Sequence, residues 1–395
     1  MLVYMAPCGM GLGHAARCAA IAKELIKRGH EVVFSTYGEA VNYLKSQEFE
    51  VLRCYELSYE HTDNGGIDLE GTLAKGPRAL YIFARQVGAE LYYTGVLNPD
   101  VVVSDSRLST SLAAVLRGIP NILIINQLLI VLPAAGNHSE RFYAAKSNVE
   151  KLILEIMAEI WGKSDKIVIP DFPPPYTISK LNLVFEENTA SKAVFIGPLI
   201  QKRPEETPSR KEIREKLGLK ETPLVLVTPS GTKEEKKALA ESLLNLLLDI
   251  DLEAKIIISM GAPQSRTYVK RFGDKITVVG WLTDKYLYLK AADVLVCHGG
   301  HTTIAEAMYY GVPMLVIPTT GHTERIGNAQ SVVEMNLGKM LPQEELNAEN
   351  LKELLKELLD NPEYMNNARE ISRKVSVFNA AVKAADVIEE LSEQF

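Results

Sequence analysis

With 395 residues the chain is longer than one compact hydrophobic core usually supports and suits two domains. Its net charge of −7 supplies no general field for nucleic acid, so any anionic partner must be held by a local site. The four cysteines, Cys8, Cys18, Cys54 and Cys297, show no CxxC spacing; they read as reduced, mostly structural thiols and exclude a zinc site of the usual pattern.

The apolar Leu2–Ala6 reads as a first strand, because LVYMAP has no basic n-region and runs straight into glycines and a histidine, unlike a signal peptide. No run of about 18 uninterrupted apolar residues offers a spanning helix, which agrees with a cytoplasmic enzyme. The glycine turn CGMGLGH (8–14) places Gly9, Gly11 and Gly13 close to the dinucleotide fingerprint but puts His14 where its third glycine belongs. The second strand, Glu31–Thr36, ends in Ser35 and Thr36 instead of the acidic residue that would hold a ribose, so an NAD or FAD site is not expected. What remains is a histidine in a tight loop at the mouth of a sheet. It suits either a general base, since imidazole titrates near neutral pH, or a cap on the helix at Ala15.

Helical stretches such as Ala15–Arg28 and Leu108–Arg117 then alternate with strands at Val101–Ser104, Asn121–Asn126 and Lys166–Ile169, a pattern that predicts parallel sheets covered by helices on both faces. Tyr55–Pro77 and Asp171–Tyr176 read as loops able to shape a binding pocket. Ile122–Ala135, with Leu128, Leu129, Ile130, Val131 and Leu132, overruns an ordinary strand; it is either a packed strand plus loop or a greasy substrate groove or membrane-contact patch. The proline- and charge-rich Pro198–Ser209 reads as a linker. Beyond it, Leu224–Thr228, a ProSerGlyThr turn and a helix from Lys233 repeat the opening of the chain. Two Rossmann-like domains facing a cleft follow, with residues 1–198 before the linker at 199–209, residues 210–375 after it, and a helix in 376–395 that crosses back onto the first domain. Asp249 and Asp251 form a DxD at a helix end and read as a solvated turn, not a metal site.

The densest chemistry lies at 297–329. Val294–Cys297 is a short apolar strand, Gly299 and Gly300 allow a sharp turn, and Thr302 and Thr303 stand where a helix begins. A helix start facing a cleft binds phosphate through its free amides and dipole without needing a metal. Glu306, one turn in, would reach the hydroxyls of whatever carries that phosphate. Taken singly, Trp281 reads as a core or interface aromatic, and His301 and His322 as solvated loop histidines.

The order and spacing of HGGHTTIAE (298–306), GVPMLVIP (311–318) and ERIGNA (324–329) resemble the donor-binding signature of GT-B glycosyltransferases that use nucleotide diphosphate sugars. GLGH (11–14), PDVVVSD (99–105), GIP (118–120), FIGP (195–198) and VGWL (279–282) extend the resemblance along most of the chain. It is similar both to the UDP-GlcNAc transferases of lipid-linked peptidoglycan synthesis and to the plant and macrolide glucosyltransferases. The resemblance assigns Gly11, Gly13, Ser230, Gly231, His298, Gly299, Gly300, Thr302 and Thr303 to the donor, chiefly its pyrophosphate. Trp281 and Leu282 fall at the base, Glu306 at the ribose hydroxyls, and Glu324 and Arg325 at the sugar. Arg325 departs from the family's glutamine, and a permanent cation there would favour a carboxylated or otherwise altered sugar.

The resemblance implies metal-independent, inverting transfer from a UDP-hexose or UDP-N-acetylhexosamine to an acceptor hydroxyl on a lipid or glycan. His14 would act as base, Asp105 would orient it, and no cofactor would be needed beyond the donor itself. A nucleotide-sugar epimerase, a retaining enzyme of the same fold and an inert nucleotide-sugar-binding subunit are the rival readings.

Overall fold

The computed structural model describes all residues except 10–11, 57–75, 127–154, 156–157, 184–186 and 262–267. Gly11, most of Tyr55–Pro77 and residues 127–135 of the apolar segment therefore lie outside the described residues. In the first half, β1 (Leu2–Pro7), β2 (Glu31–Thr36), β3 (Glu50–Arg53), β4 (Val101–Asp105), β5 (Asn121–Ile124), β6 (Lys166–Ile169) and β7 (Ala193–Phe195) form a sheet of order β3-β2-β1-β4-β5-β6-β7, parallel throughout.

In the second half, β8 (Leu224–Val227), β9 (Lys255–Ser259), β10 (Val269–Phe272), β11 (Ile276–Val279), β12 (Val294–Cys297), β13 (Met314–Val316) and β14 (Gly338–Met340) take the order β10-β11-β9-β8-β12-β13-β14. Only β10, at one edge, pairs antiparallel. The central strands are buried along their length and mostly apolar, as strands covered by helices on two sides must be; β4 turns polar only at its carboxyl end, Ser104 and Asp105, and β5 at its first residue, Asn121.

The order turns back between β1 and β4 in the first sheet and, at the centre of the second, between β8 and β12. Loops leaving the carboxyl ends of two strands diverge at such a point and open a crevice, the usual ligand site of an open α/β sheet. His14 follows β1 and Asp105 ends β4; Ser230 follows β8 and His298 follows β12. The strand order alone thus brings both predicted half-sites to crevices.

The first core joins Val3, Met5, Val101 and Val103 to Cys18, Ile21, Ala22 and Leu25 of helix Leu12–Lys27, and also to Ala384, Ile388 and Leu391 of helix Ala380–Ser392. The C-terminal helix therefore packs on the first sheet, where Arg28 pairs with Asp386 at 2.8 Å and with Glu389 at 2.6 Å. The predicted linker contains a 3₁₀ turn, Pro204–Glu206, and is tied to the returning chain by Arg203, which donates to the carbonyls of Ser376 and Phe378. Predicted strand Asn121–Asn126 stops at Ile124. Asp251 at the exposed helix end pairs with Lys275.

Candidate functional site

The first half-site grows from the turn after β1. Gly9 is required there, because a Cβ would collide with the carbonyl of Tyr37; Gly13 faces open space and carries no such constraint. The next two turns of helix bring His14, Arg17 and Cys18 over the end of β4, where Pro7 pairs in register with Asp105. His14 Nδ1 lies 2.8 Å from Oδ1 of Asp105, a fully buried carboxylate. Arg17 grips both oxygens of the same carboxylate through Nε and Nη2, and Cys18 Sγ donates to Oδ2 at 3.4 Å. Burial opposes ionisation of Asp105, but Arg17 and then His14 outweigh it and hold the carboxyl well below its usual range. Asp105 is thus a fixed anion beneath the imidazole. Arg17 was missing from the expected site; its signal was its place one turn after His14 on the same helix face.

The second half-site joins the loops after β8 and β12. The N–H of Ser230 donates to Nδ1 of His298 at 3.1 Å, so neutral His298 carries its proton on Nε2. His298 is 1% exposed, and burial, followed by the charge of Arg325, pushes its pKa down to about 4. Gly299 takes φ +87°, and a Cβ there would meet the carbonyl of Arg325 at 2.8 Å. Asn328 donates from Nδ2 to the carbonyl of Gly299 at 3.0 Å and so fixes this turn.

Helix His301–Tyr310 starts at Gly300 with no side-chain cap, and the backbone bond from Ile304 to Gly300 is the first to close. Thr302 is exposed and Thr303 half-buried beside that open end. The hydroxyl of Ser230 is buried without a partner and faces Gly300. Unused amides, an orphaned hydroxyl and a wall without side chains together form a cradle for an anion. Gly231, at φ +107°, and Thr232, which caps helix Lys233–Leu248, complete its other side.

Glu306 is 3% exposed and already engaged: Lys285 Nζ lies 2.7 Å from Oε2, and the Tyr286 hydroxyl donates to Oε1 at 2.9 Å. Each oxygen keeps a lone-pair direction, so a ribose would join an existing network. Trp281, 39% exposed at the end of β11, offers an open ring, while Leu282 is buried in the core. Glu324 is half-buried in the first turn of helix Thr323–Glu334.

Arg325 has partners within the protein. It is 8% exposed, pairs with Glu235 at 2.9 Å and donates to Thr319, so its charge is compensated inside the protein. His301 and His322, which taken alone read as solvated, are both largely covered: His301 is 9% exposed with Nε2 3.2 Å from Asp171, and His322 is half-buried.

The two half-sites face one another. Burial opposes the charge of Arg17, yet its pKa is raised, chiefly by Asp105 and at longer range by Cys18 and by Glu324 from the opposite domain. Loop residues of the first half seat on the second: Ser179 meets Asn328 at 3.4 Å, and Phe172 packs on Tyr309. No helix among the described residues is long and apolar enough to cross a membrane.

This geometry has counterparts among known proteins. Residues 2–176 match the profile of Glycosyl transferase family 1, and residues 227–391 match that of the Glycosyltransferase family 28 C-terminal domain. An uncharacterized glycosyltransferase of Methanosarcina mazei is 29% identical, with 98% of each chain covered. Among solved structures, the spinosyn forosaminyltransferase SpnP superposes with a TM-score of 0.70 at 17% identity, covering 99% of each chain. The glycosyltransferase VinC, solved in complex with dTDP, superposes with a TM-score of 0.65 at 15% identity and full coverage of both chains. Two parallel α/β domains, a crevice at each switch point and the two matching halves identify the chain as a glycosyltransferase of the GT-B fold.

Proposed function

We propose that the chain transfers a sugar from a nucleotide diphosphate sugar, a UDP-hexose or UDP-N-acetylhexosamine, to an acceptor hydroxyl, with inversion and without a metal or a further cofactor. The observation that carries this reading is the contact of His14 with buried, ionised Asp105 at one crevice, with Glu324 of the other domain close enough to act on their shared partner Arg17. The acceptor hydroxyl gives its proton to His14 as its oxygen bonds to the anomeric carbon. The bond from that carbon to the diphosphate breaks, and its electron pair leaves with the nucleotide. The charge on the leaving diphosphate is taken up by the amides at the start of helix His301–Tyr310, the Ser230 hydroxyl and the His298 ring.

Glu306 receives the ribose and Glu324 the sugar hydroxyls, while Arg325 acts as a brace through Glu235 and leaves the sugar to Glu324. The complex of VinC with dTDP supports a nucleotide diphosphate as the donor's leaving part. A thermal-shift panel of nucleotide sugars tests the reading: a bound donor at about 100 times its Kd stabilises the fold by about 2.7 kcal/mol. Failure of every nucleotide diphosphate and nucleotide sugar to shift the transition would count against it.

A further inference from the structure

His14 Nδ1 has two neighbours with opposite demands: Oδ1 of Asp105 at 2.8 Å and Nη2 of Arg17 at 2.9 Å. A carboxylate attracts a protonated Nδ1, whereas a guanidinium attracts a bare one. Asp105 is ionised and has no proton to offer, so a bare Nδ1 at that distance would set lone pair against lone pair. Arg17, for its part, gives the N–H of Nε and one N–H of Nη2 to the two carboxylate oxygens, and its Nη1 donates to Oδ1 of Asn126 at 3.5 Å. His14 is faced by Asp105 from β4 and Arg17 from its own helix; Cys18 bonds the same Asp105 carboxylate, and Glu324 from across the cleft acts on Arg17.

We propose that Arg17 is a positioning residue of the transfer site: by locking Asp105 from below, it leaves His14 only the tautomer with its proton on Nδ1 and its lone pair on Nε2. Its fixed charge also offsets that of Asp105 beside the imidazole. The proposal rests on the reading of His14 as the base, but its first test does not.

In ¹⁵N-labelled wild-type protein at pH 8, the His14 ring, assigned by its loss in His14→Ala, is expected to show protonated Nδ1 and bare Nε2. The reverse pattern overturns the proposal, whether or not His14 proves catalytic. In the second test, slow donor hydrolysis is followed against pH. Arg17→Gln, which exposes the whole charge of Asp105, is expected to move the acid limb of the profile up by about one pH unit with donor Kd unchanged. A loss uniform across pH would make Arg17 a merely structural residue. Should Arg17→Gln fail to fold, Arg17→Lys decides the matter, because it keeps the charge and loses the fork. A slower enzyme with an unmoved acid limb supports the proposal, and a limb moved up by a unit contradicts it.

Discussion

The imidazole of His14 and the carboxylate of Asp105 meet 2.8 Å apart although 91 residues separate them, because β1 and β4 are neighbours at the point where the first sheet reverses its order. The pairing is a property of topology. A loop leaving β1 and a strand end on β4 can hardly avoid each other; burial opposes ionisation of the acidic partner, which is a permanent anion only because Arg17 and His14 face it.

His14→Ala is expected to leave donor affinity nearly unchanged and to lower turnover by about 10²–10⁴, the usual contribution of a positioned base. Asp105→Asn should cost a comparable factor, because Arg17, 2.9 Å from Nδ1, then becomes the donor to that nitrogen and shifts the proton to Nε2. The double variant should be little worse than either single one. Single-turnover rates and donor Kd for the three variants check this; additive losses would separate the two residues.

Glu306→Ala should weaken free nucleotide and nucleotide sugar alike, by roughly 1.5–3 kcal/mol, as for other hydrogen bonds to a charged group. Glu324→Ala should weaken only the intact nucleotide sugar. Titration calorimetry with UDP and a UDP-sugar distinguishes them, and equal losses in the Glu324 variant would remove that residue from the sugar site.

The depressed pKa of His298 makes stability depend on pH in a defined direction. Between about 6.5 and about 4 the unfolded chain holds a proton on this residue that the folded chain does not, so stability falls as pH falls through that window, by up to roughly 3 kcal/mol. His322, lowered by burial and by Arg325, pulls the same way. His298→Asn, whose side-chain oxygen can still accept from Ser230, should flatten part of the slope in urea unfolding at pH 7 and pH 5. An unchanged slope would mean that His298 is not held neutral.

Arg325 and Glu235 form a largely buried pair between two helices, so Arg325→Gln should destabilise the fold by about 3 kcal/mol, the cost of leaving a buried charge alone. Arg325→Gln with Glu235→Gln should lose less than the two single changes summed, as a double-mutant cycle in urea would show. A single variant of wild-type stability with altered donor preference would return Arg325 to the sugar.

These residues also mark how far the sequence could be read. Val294–Cys297 and Lys166–Ile169 were legible residue by residue because a strand buried on both faces is a continuous apolar run, and helix Leu108–Arg117 because it ends at Gly118 in the left-handed conformation. The turn between β12 and helix His301–Tyr310 was legible as a motif because one strand, one turn and one helix carry it. The partners of Arg17 and Arg325 were not legible. A cation on a helix reads as solvated or as ligand-facing until its partner is known, and those partners, Asp105 and Glu235, lie 88 and 90 residues away. Lys285 and Tyr286 were hidden in the same way, since only the packing of their short helix on His301–Tyr310 brings them to Glu306.

The most direct measurement needs no knowledge of the acceptor: water takes its place in slow hydrolysis of a donor labelled with ¹³C at the anomeric carbon, followed by NMR in EDTA. An α-linked UDP-sugar is expected first to release the β-anomer together with UDP, at a rate untouched by the chelator and lost in His14→Ala. First release of the α-anomer, or hydrolysis abolished by EDTA and restored by magnesium or manganese, would contradict it.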